Sequence, residues 1–402
     1  MPDYIIGPIA ELHSLAGGAG LRRGERMRDT GVVRDVAIAV IDDKVAEIGP
    51  AHEIIRRYDL SKNPAGLVTP GLVDAHSHIC WAGDRAEEFL RRSRGESYED
   101  IAAAGGGILS TMRATREAKT RDLAQNIGRR AHMMRYTGST TVEVKASYGL
   151  SPDACMRELD AIHIARDLTT TRLVPTFMGA HAFPPDYSKE EYLDLLCDEM
   201  IPMAAAHRAM PRFCDVFCEV GAFSVDESER VLRAGLESGL KPKIHADEFN
   251  ALGGVEMACA MGAVSCDHLL VTTTSGRRAL EESATAAVLM PGTAFYLGKP
   301  YADARALVDS GCAVALGTDF NPGSSMVRSM ALTIGLAVAK QGLTPEEALT
   351  AATVNSAAAI DADTGRIEVG LPADIVAWQC RTLAEFVWQY TYIRAERVYG
   401  GA

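Results

Sequence analysis

Hydrophobic and polar positions change their rhythm twice along the chain. Over about the first 60 residues, as in GVVRDVAIAVIDDKVAEIGP, apolar and polar residues alternate in short runs broken by Asp-Asp and Gly-Pro turns. That is the period of half-buried strands. About 30 residues at the other end, from LPADIVAWQC to YIRAERVYGG, read the same way. Between them, short and nearly continuous apolar runs alternate with amphipathic stretches such as SPDACMRELDAIHIARDL and ESERVLRAGLESG. Eight such runs occur: LVTPGLVDAH, STTVEVKA, RLVPTFMGAH, DVFCEVG, KPKIHADE, AVSCDHL, AAVLMPGT and CAVALGTD. Strands buried on both faces require continuous apolar runs. Eight of them with helical crossovers predict an α/β fold, a (β/α)8 TIM barrel over residues 66–366. The flanking segments, 1–65 and 367–402, predict a small β-sandwich domain formed by both termini. An open doubly wound sheet would need a phosphate-type Gly turn after the first strand, and none stands there.

Polar residues collect at the C-terminal ends of these runs. Strand one ends in His76 and His78, strand three in His181, strand five in His245, strand six in His268 and strand eight in Asp319. Barrel active sites lie on that face. In DAHSH, His76 and His78 are two apart on an extended segment, so their side chains share a face. Three neutral imidazoles and a carboxylate suit Zn²⁺ or Fe and leave a position for water. We expect one metal per chain, Zn²⁺ before Fe, held by His76, His78, His245 and Asp319. Such a metal lowers the pKa of bound water from about 16 towards 7, and Asp319 can take the proton. His268 reads as a donor to a developing oxyanion or as a proton shuttle, against the plainer alternative of a structural histidine. Glu248, three residues after His245, can face a substrate or relay a proton, against the alternative of a simple salt bridge. Lys145 ends the second strand, and the fourth ends in Cys218-Glu219.

Composition narrows the partners. The net charge is −12, which argues against nucleic acid bound through a diffuse basic surface. No run approaches the roughly 18 apolar residues of a membrane span, and the first residues lack the basic start and apolar stretch of a leader. Nine cysteines without a disulfide-like rhythm fit a reduced, cytoplasmic protein.

At this point the segments VTPGLVDAHSH, IHADEFNALGG, SCDHLL and LGTDFNPGSS resemble the amidohydrolase superfamily. YEDIAAAGGGILSTMRATR, TTVEVKASYGL, VPTFMGAHAFPPDY, DVFCEVGAFS and MPGTAFYLG resemble, more narrowly, its imidazolonepropionases. The likeness spans about residues 66 to 358 and implies hydrolysis of 4-imidazolone-5-propanoate to N-formimino-L-glutamate. It implies Glu248, His268 and Asp319 as catalytic residues, with Arg85, Tyr98, Tyr148, His181 and Asn321 touching the substrate. A guanidinium such as Arg85 can hold a propionate tail in two parallel hydrogen bonds. The resemblance also implies a homodimer acting on a small anionic heterocycle. The metal motifs leave open a related imidazolone or a hydantoin-like ring, and a heteroaromatic deaminase would use the same ligands. The GGGILST loop and Arg85 favour ring opening of an anionic substrate.

Overall fold

The computed structural model describes residues 3–96 and 105–400. The alternating N-terminal segment forms β1 (Tyr4–His13), β2 (Val32–Ile41), β3 (Lys44–Pro50) and β4 (Ser61–Pro70). The far end of the chain adds β13 (Ile375–Trp378) and β14 (Ala395–Tyr399). Together they make one mixed sheet in the order β14-β13-β4-β1-β2-β3. The two-ended β unit is thus a single hydrogen-bonded sheet. Its alternation fills two separate clusters, with Tyr4, Ile6 and Ile38 in one, and Ile5, Ala37, Ala39 and Ile54 in the other.

The eight apolar runs become β5 (Leu72–Asp74), β6 (Ser139–Ala146), β7 (Arg172–Ala180), β8 (Phe213–Cys218), β9 (Lys241–Ala246), β10 (Ser265–His268), β11 (Ala286–Leu289) and β12 (Ala313–Leu316). Each pairs in parallel with its neighbour in chain order. The seam between β12 and β5 is closed by their extensions. Ala75 N donates to Leu316 O at 3.3 Å, Asp319 N to His76 O at 2.9 Å and His78 N to Phe320 O at 3.1 Å. Gly317 allows this approach, because a Cβ there would lie 2.7 Å from His76 Cβ. Asp74 ties the seam, accepting Thr318 N at 2.9 Å and Thr318 Oγ1 at 2.6 Å. Barrel closure therefore brings Asp319 to His76 and His78, although it stands more than 240 positions from them in sequence. Among the described residues, no helix is long and apolar enough to cross a membrane.

The sheet is keyed to the barrel through β13. Ile375 and Ala377 belong to the sheet's own cluster, and Val376 and Trp378 to the barrel's. Trp378 packs edge-on against Phe386 at 4.7 Å and donates from its indole nitrogen to Thr69 Oγ1 at 2.9 Å. Its ring also lies where a Cβ on Gly138 would fall, 2.2 Å away, and Gly138 holds a φ of +97° at the turn into β6. Gly138→Ala therefore meets both backbone strain and a rigid buried ring. We expect it to cost roughly 2–4 kcal/mol, read as a lowered melting temperature; an unchanged melt would show that the junction yields.

Candidate active site and metal centre

The inward faces of the barrel strands carry charge. Glu143 and Lys145 on β6, Asp215 on β8, Lys243 on β9 and Asp267 on β10 have no exposed surface. Lys145 Nζ lies 2.6 Å from Asp215 and 2.8 Å from Glu143, and Lys243 Nζ lies 2.8 Å from Glu143. Burial by itself would lower the pKa of the Lys145 ammonium; Asp215, Glu143 and Asp267 together raise it. Below this layer the interior is apolar, with Val73, Val174, Phe213 and Val288 packed together.

Above it stand the histidines. His76 Nδ1 lies 2.6 Å from Asp267 Oδ2, and His245 Nδ1 lies 3.0 Å from Asp215 Oδ1. His78 Nδ1 hydrogen-bonds with Ser147 Oγ at 2.9 Å. A carboxylate partner assigns the proton to Nδ1 of His76 and His245 and turns each Nε2 lone pair outward. The Nε2 atoms of His76 and His245 lie 3.2 and 3.3 Å from Nε2 of His78. Asp319 Oδ1 is 3.6 Å from Nε2 of both His76 and His78. Burial lowers the pKa of His76 and His78, which keeps them neutral and able to ligate. Electron-pair donors that converge this closely fit a cation, and three imidazoles with one carboxylate fit Zn²⁺ or Fe. The second carboxylate oxygen of Asp319 accepts Thr293 Oγ1 at 2.8 Å, which holds the first in place.

The remaining expected residues line a cleft of about 740 Å³ above this centre: Arg85, Tyr148, His181, Glu248, His268 and Asn321. His181 stacks on His78 with ring centres 5.0 Å apart, its Nδ1 lies 2.9 Å from Ser147 O, and burial pushes its pKa down to about 3. Burial, then Asp319 and Glu219, raises the Glu248 carboxyl well above the usual range. His268 Nδ1 stands 3.7 Å from Glu248 Oε1 and is buried without a hydrogen-bond partner among the described residues. His268 also offers a nitrogen within 4.8 Å of the nitrogens of His76 and His245. Asn321 shapes its own turn, its side-chain oxygen accepting the N–H groups of Gly323 and Ser324 at 2.8 Å each. Arg85 lines the cleft but is already paired, with Nε and Nη2 both 2.7 Å from Glu88 Oε2. Tyr98 lies outside the described residues.

Curated relatives match nearly the whole chain. An imidazolonepropionase of Symbiobacterium thermophilum is 45% identical over 385 residues, covering 93% of this chain and 90% of the relative. One of Chloroflexus aggregans is 45% identical over 390 residues, covering 93% and 91%. The chain belongs to the imidazolonepropionase family. The amidohydrolase family model matches residues 224–393. A zinc-bound adenosine deaminase from Xanthomonas campestris superposes with a TM-score of 0.70 at 17% identity, covering 99% of this chain and 91% of that one. A guanine deaminase from C. acetobutylicum superposes at 0.68 and 15% identity, covering 99% of each. At such identities the likeness speaks for the fold alone, a parallel eight-stranded barrel.

In this imidazolonepropionase family member, sequence reasoning overlooked the residues that hold the site in place. Asp215 and Asp267 orient two imidazoles, and Glu143 and Lys243 complete their charge array. Glu158 accepts the N–H groups of Ser147, Tyr148 and Gly149 at 3.3, 3.1 and 2.7 Å, with burial pushing its carboxyl up to about 7. Glu219 accepts those of Phe249 and Asn250 at 2.9 and 3.1 Å, which pins the turn after Glu248. One signal was available: charges at every second position of otherwise apolar runs, as in VEVK and KPKIH, face a barrel interior.

Two substitutions probe this support. Lys145→Met leaves Asp215 and Glu143 undercompensated, and we expect a loss of about 3–5 kcal/mol in denaturant unfolding. Asp267→Asn should fold yet lower metal affinity about 10–100-fold, measured by chelator competition. Wild-type affinity in that variant would disconnect Asp267 from the metal.

Proposed function

We propose that this chain hydrolyses 4-imidazolone-5-propanoate to N-formimino-L-glutamate. The observation that carries this reading is the convergence of three imidazole Nε2 atoms and Asp319 Oδ1 under a cleft containing Glu248, His268 and basic rim residues. The naming of the relatives supports the same substrate. His76, His78, His245 and Asp319 would hold one metal, Zn²⁺ or Fe. When bound, it supplies a water acidic enough to attack at neutral pH and a Lewis acid for the ring carbonyl.

The chain's own groups account for the rest. Water adds across the ring C–N bond, its oxygen going to the carbonyl carbon and a proton going to the departing nitrogen. Asp319, held by Thr293, accepts a proton from the water and can return it to that nitrogen. His268 stands beside the metal ligands with a free ring nitrogen and donates to the oxyanion as it forms. Glu248, whose carboxyl is raised well above the usual range by burial, faces the ring and carries a proton between it and solvent. Tyr148 and His181 wall the ring, Asn321 shapes the loop beneath it, and Arg85 draws an acidic tail towards the rim; Tyr98 is a further substrate contact that the family resemblance implies. We further read the protein as a cytoplasmic homodimer with no nucleic-acid partner.

The test mixes metal-replete protein with freshly generated 4-imidazolone-5-propanoate and follows the loss of its ultraviolet absorbance. His76→Ala serves as control for spontaneous decay. Rapid loss in wild type, with N-formimino-L-glutamate as product, is expected; loss no faster than the control, in protein carrying metal, would discard this substrate. Asp319→Asn should keep its melting temperature within a few degrees and lose turnover by roughly 10²–10⁴-fold or more. Near-normal activity in that variant would remove Asp319 from both of its roles. Dialysis against a chelator should abolish activity, and Zn²⁺ or Fe²⁺ should restore it.

A further inference from the structure

Three imidazoles face the metal centre, and the groups behind them differ. His76 and His245 each set Nδ1 against a carboxylate with no exposed surface, Asp267 on β10 at 2.6 Å and Asp215 on β8 at 3.0 Å. Both carboxylates stand inside the barrel, fixed by the strands that carry them. His78 sets Nδ1 against the Ser147 hydroxyl at 2.9 Å. A hydroxyl rotates, and Ser147 follows Ala146, the last residue of β6, on the turn that leaves the barrel. Its placement is therefore only as firm as the backbone of that turn.

Glu158 supplies the firmness. It stands without exposed surface on the helix Pro152–Ala165, which follows the turn. One of its oxygens accepts Ser147 N–H at 3.3 Å and Tyr148 N–H at 3.1 Å, and the other accepts Gly149 N–H at 2.7 Å. A buried carboxylate needs such donors, and three consecutive amides can meet that need only if the turn keeps this shape. Gly149 lets the helix come so close, since a Cβ there would lie 2.6 Å from Cys155 N and 2.8 Å from Glu158 Oε2. The turn's carbonyls are held as well. The half-buried Arg116 donates from Nε to Gly149 O and from Nη2 to Leu150 O, at 2.7 Å each.

Two further parts of the site hang on the same turn. Ser147 O meets His181 Nδ1 at 2.9 Å, and His181 stacks on His78 with ring centres 5.0 Å apart. The Tyr148 ring centre lies 6.0 Å from that of His78 and 5.4 Å from that of His181. One carboxylate thus registers an imidazole of the metal centre and the two rings beside it.

We propose that Glu158 is a positioning residue for the metal centre: through the turn at 147–149 it does for His78 what Asp267 and Asp215 do directly for His76 and His245. This rests on the reading of His78 as a metal ligand.

The test measures the Zn²⁺ affinity of the full-length protein by chelator competition, and the visible bands of the Co²⁺-loaded protein, which report ligand geometry. Glu158→Gln keeps the size of the side chain but turns an amide NH2 towards backbone N–H groups. It should weaken Zn²⁺ about tenfold and shift the Co²⁺ bands. Ser147→Ala should do the same, and the double variant should be no weaker than either single one, because both act on one link. Unchanged affinity in Glu158→Gln, or losses that add in the double variant, would overturn the proposal. Gly138→Ala, at the far end of β6, is the control for general stability and should keep wild-type affinity; an equal loss there would overturn the proposal too. If Glu158→Gln does not fold, Arg116→Gln, which frees the carbonyl side of the same turn, should show the loss, and wild-type affinity there would count against us. A wild type that holds Zn²⁺ without imidazolone turnover would sink the functional reading alone. One with no affinity for Zn²⁺ would sink both.

Discussion

Charged groups sealed inside the barrel set the terms for everything above them. Glu143, Asp215 and Asp267 face Lys145 and Lys243 with no exposed surface, so none can trade a protein partner for water. Three carboxylates against two ammonium groups leave one formal negative charge, and Asp319 adds another. A divalent cation held among the Nε2 atoms would balance that excess. The same carboxylates orient His76 and His245, so charge balance and ligand geometry are one constraint. The apolar layer around Phe213 and Val174 beneath it keeps water from entering at the other end.

The strand ends that carry the candidate site turn through strained backbone. Asp247, His268 and Asp319 hold φ values of +54°, +83° and +51°, a region non-glycine residues seldom occupy. Nearby acceptors tie down the neighbouring backbone. Glu158 fixes Ser147 to Gly149, Glu219 fixes Phe249 and Asn250, and Asn321 fixes Gly323 and Ser324. Buried acceptors thus hold the loops to the barrel, which suits a site that must keep its geometry through turnover.

Floor and rim carry different information. The floor of imidazoles and carboxylate is general in its chemistry: such a donor set suits hydrolysis of many C–N bonds. At the rim, Arg85 is paired with Glu88, and Arg92 stands over Phe89 and Tyr296. Substrate choice belongs to the rim because side chains there can change without disturbing the buried charges.

Much of this was legible in the chain alone. Periodicity located all eight barrel strands, because burial on both faces demands continuous apolar runs. The terminal strands were visible as alternating segments, and His76, His78, His245 and Asp319 stood out as polar residues closing apolar runs. The pairing of β1 with β4 and of β4 with β13 was not legible, since register across hundreds of residues depends on which faces meet. Nor were the partners Asp267, Asp215 and Ser147, or the neutralisation of Arg85 by Glu88. Spacing along a strand or helix tells which way a side chain points, and local chemistry alone sets that. Which charge it meets depends on barrel closure, and only the tertiary structure decides that.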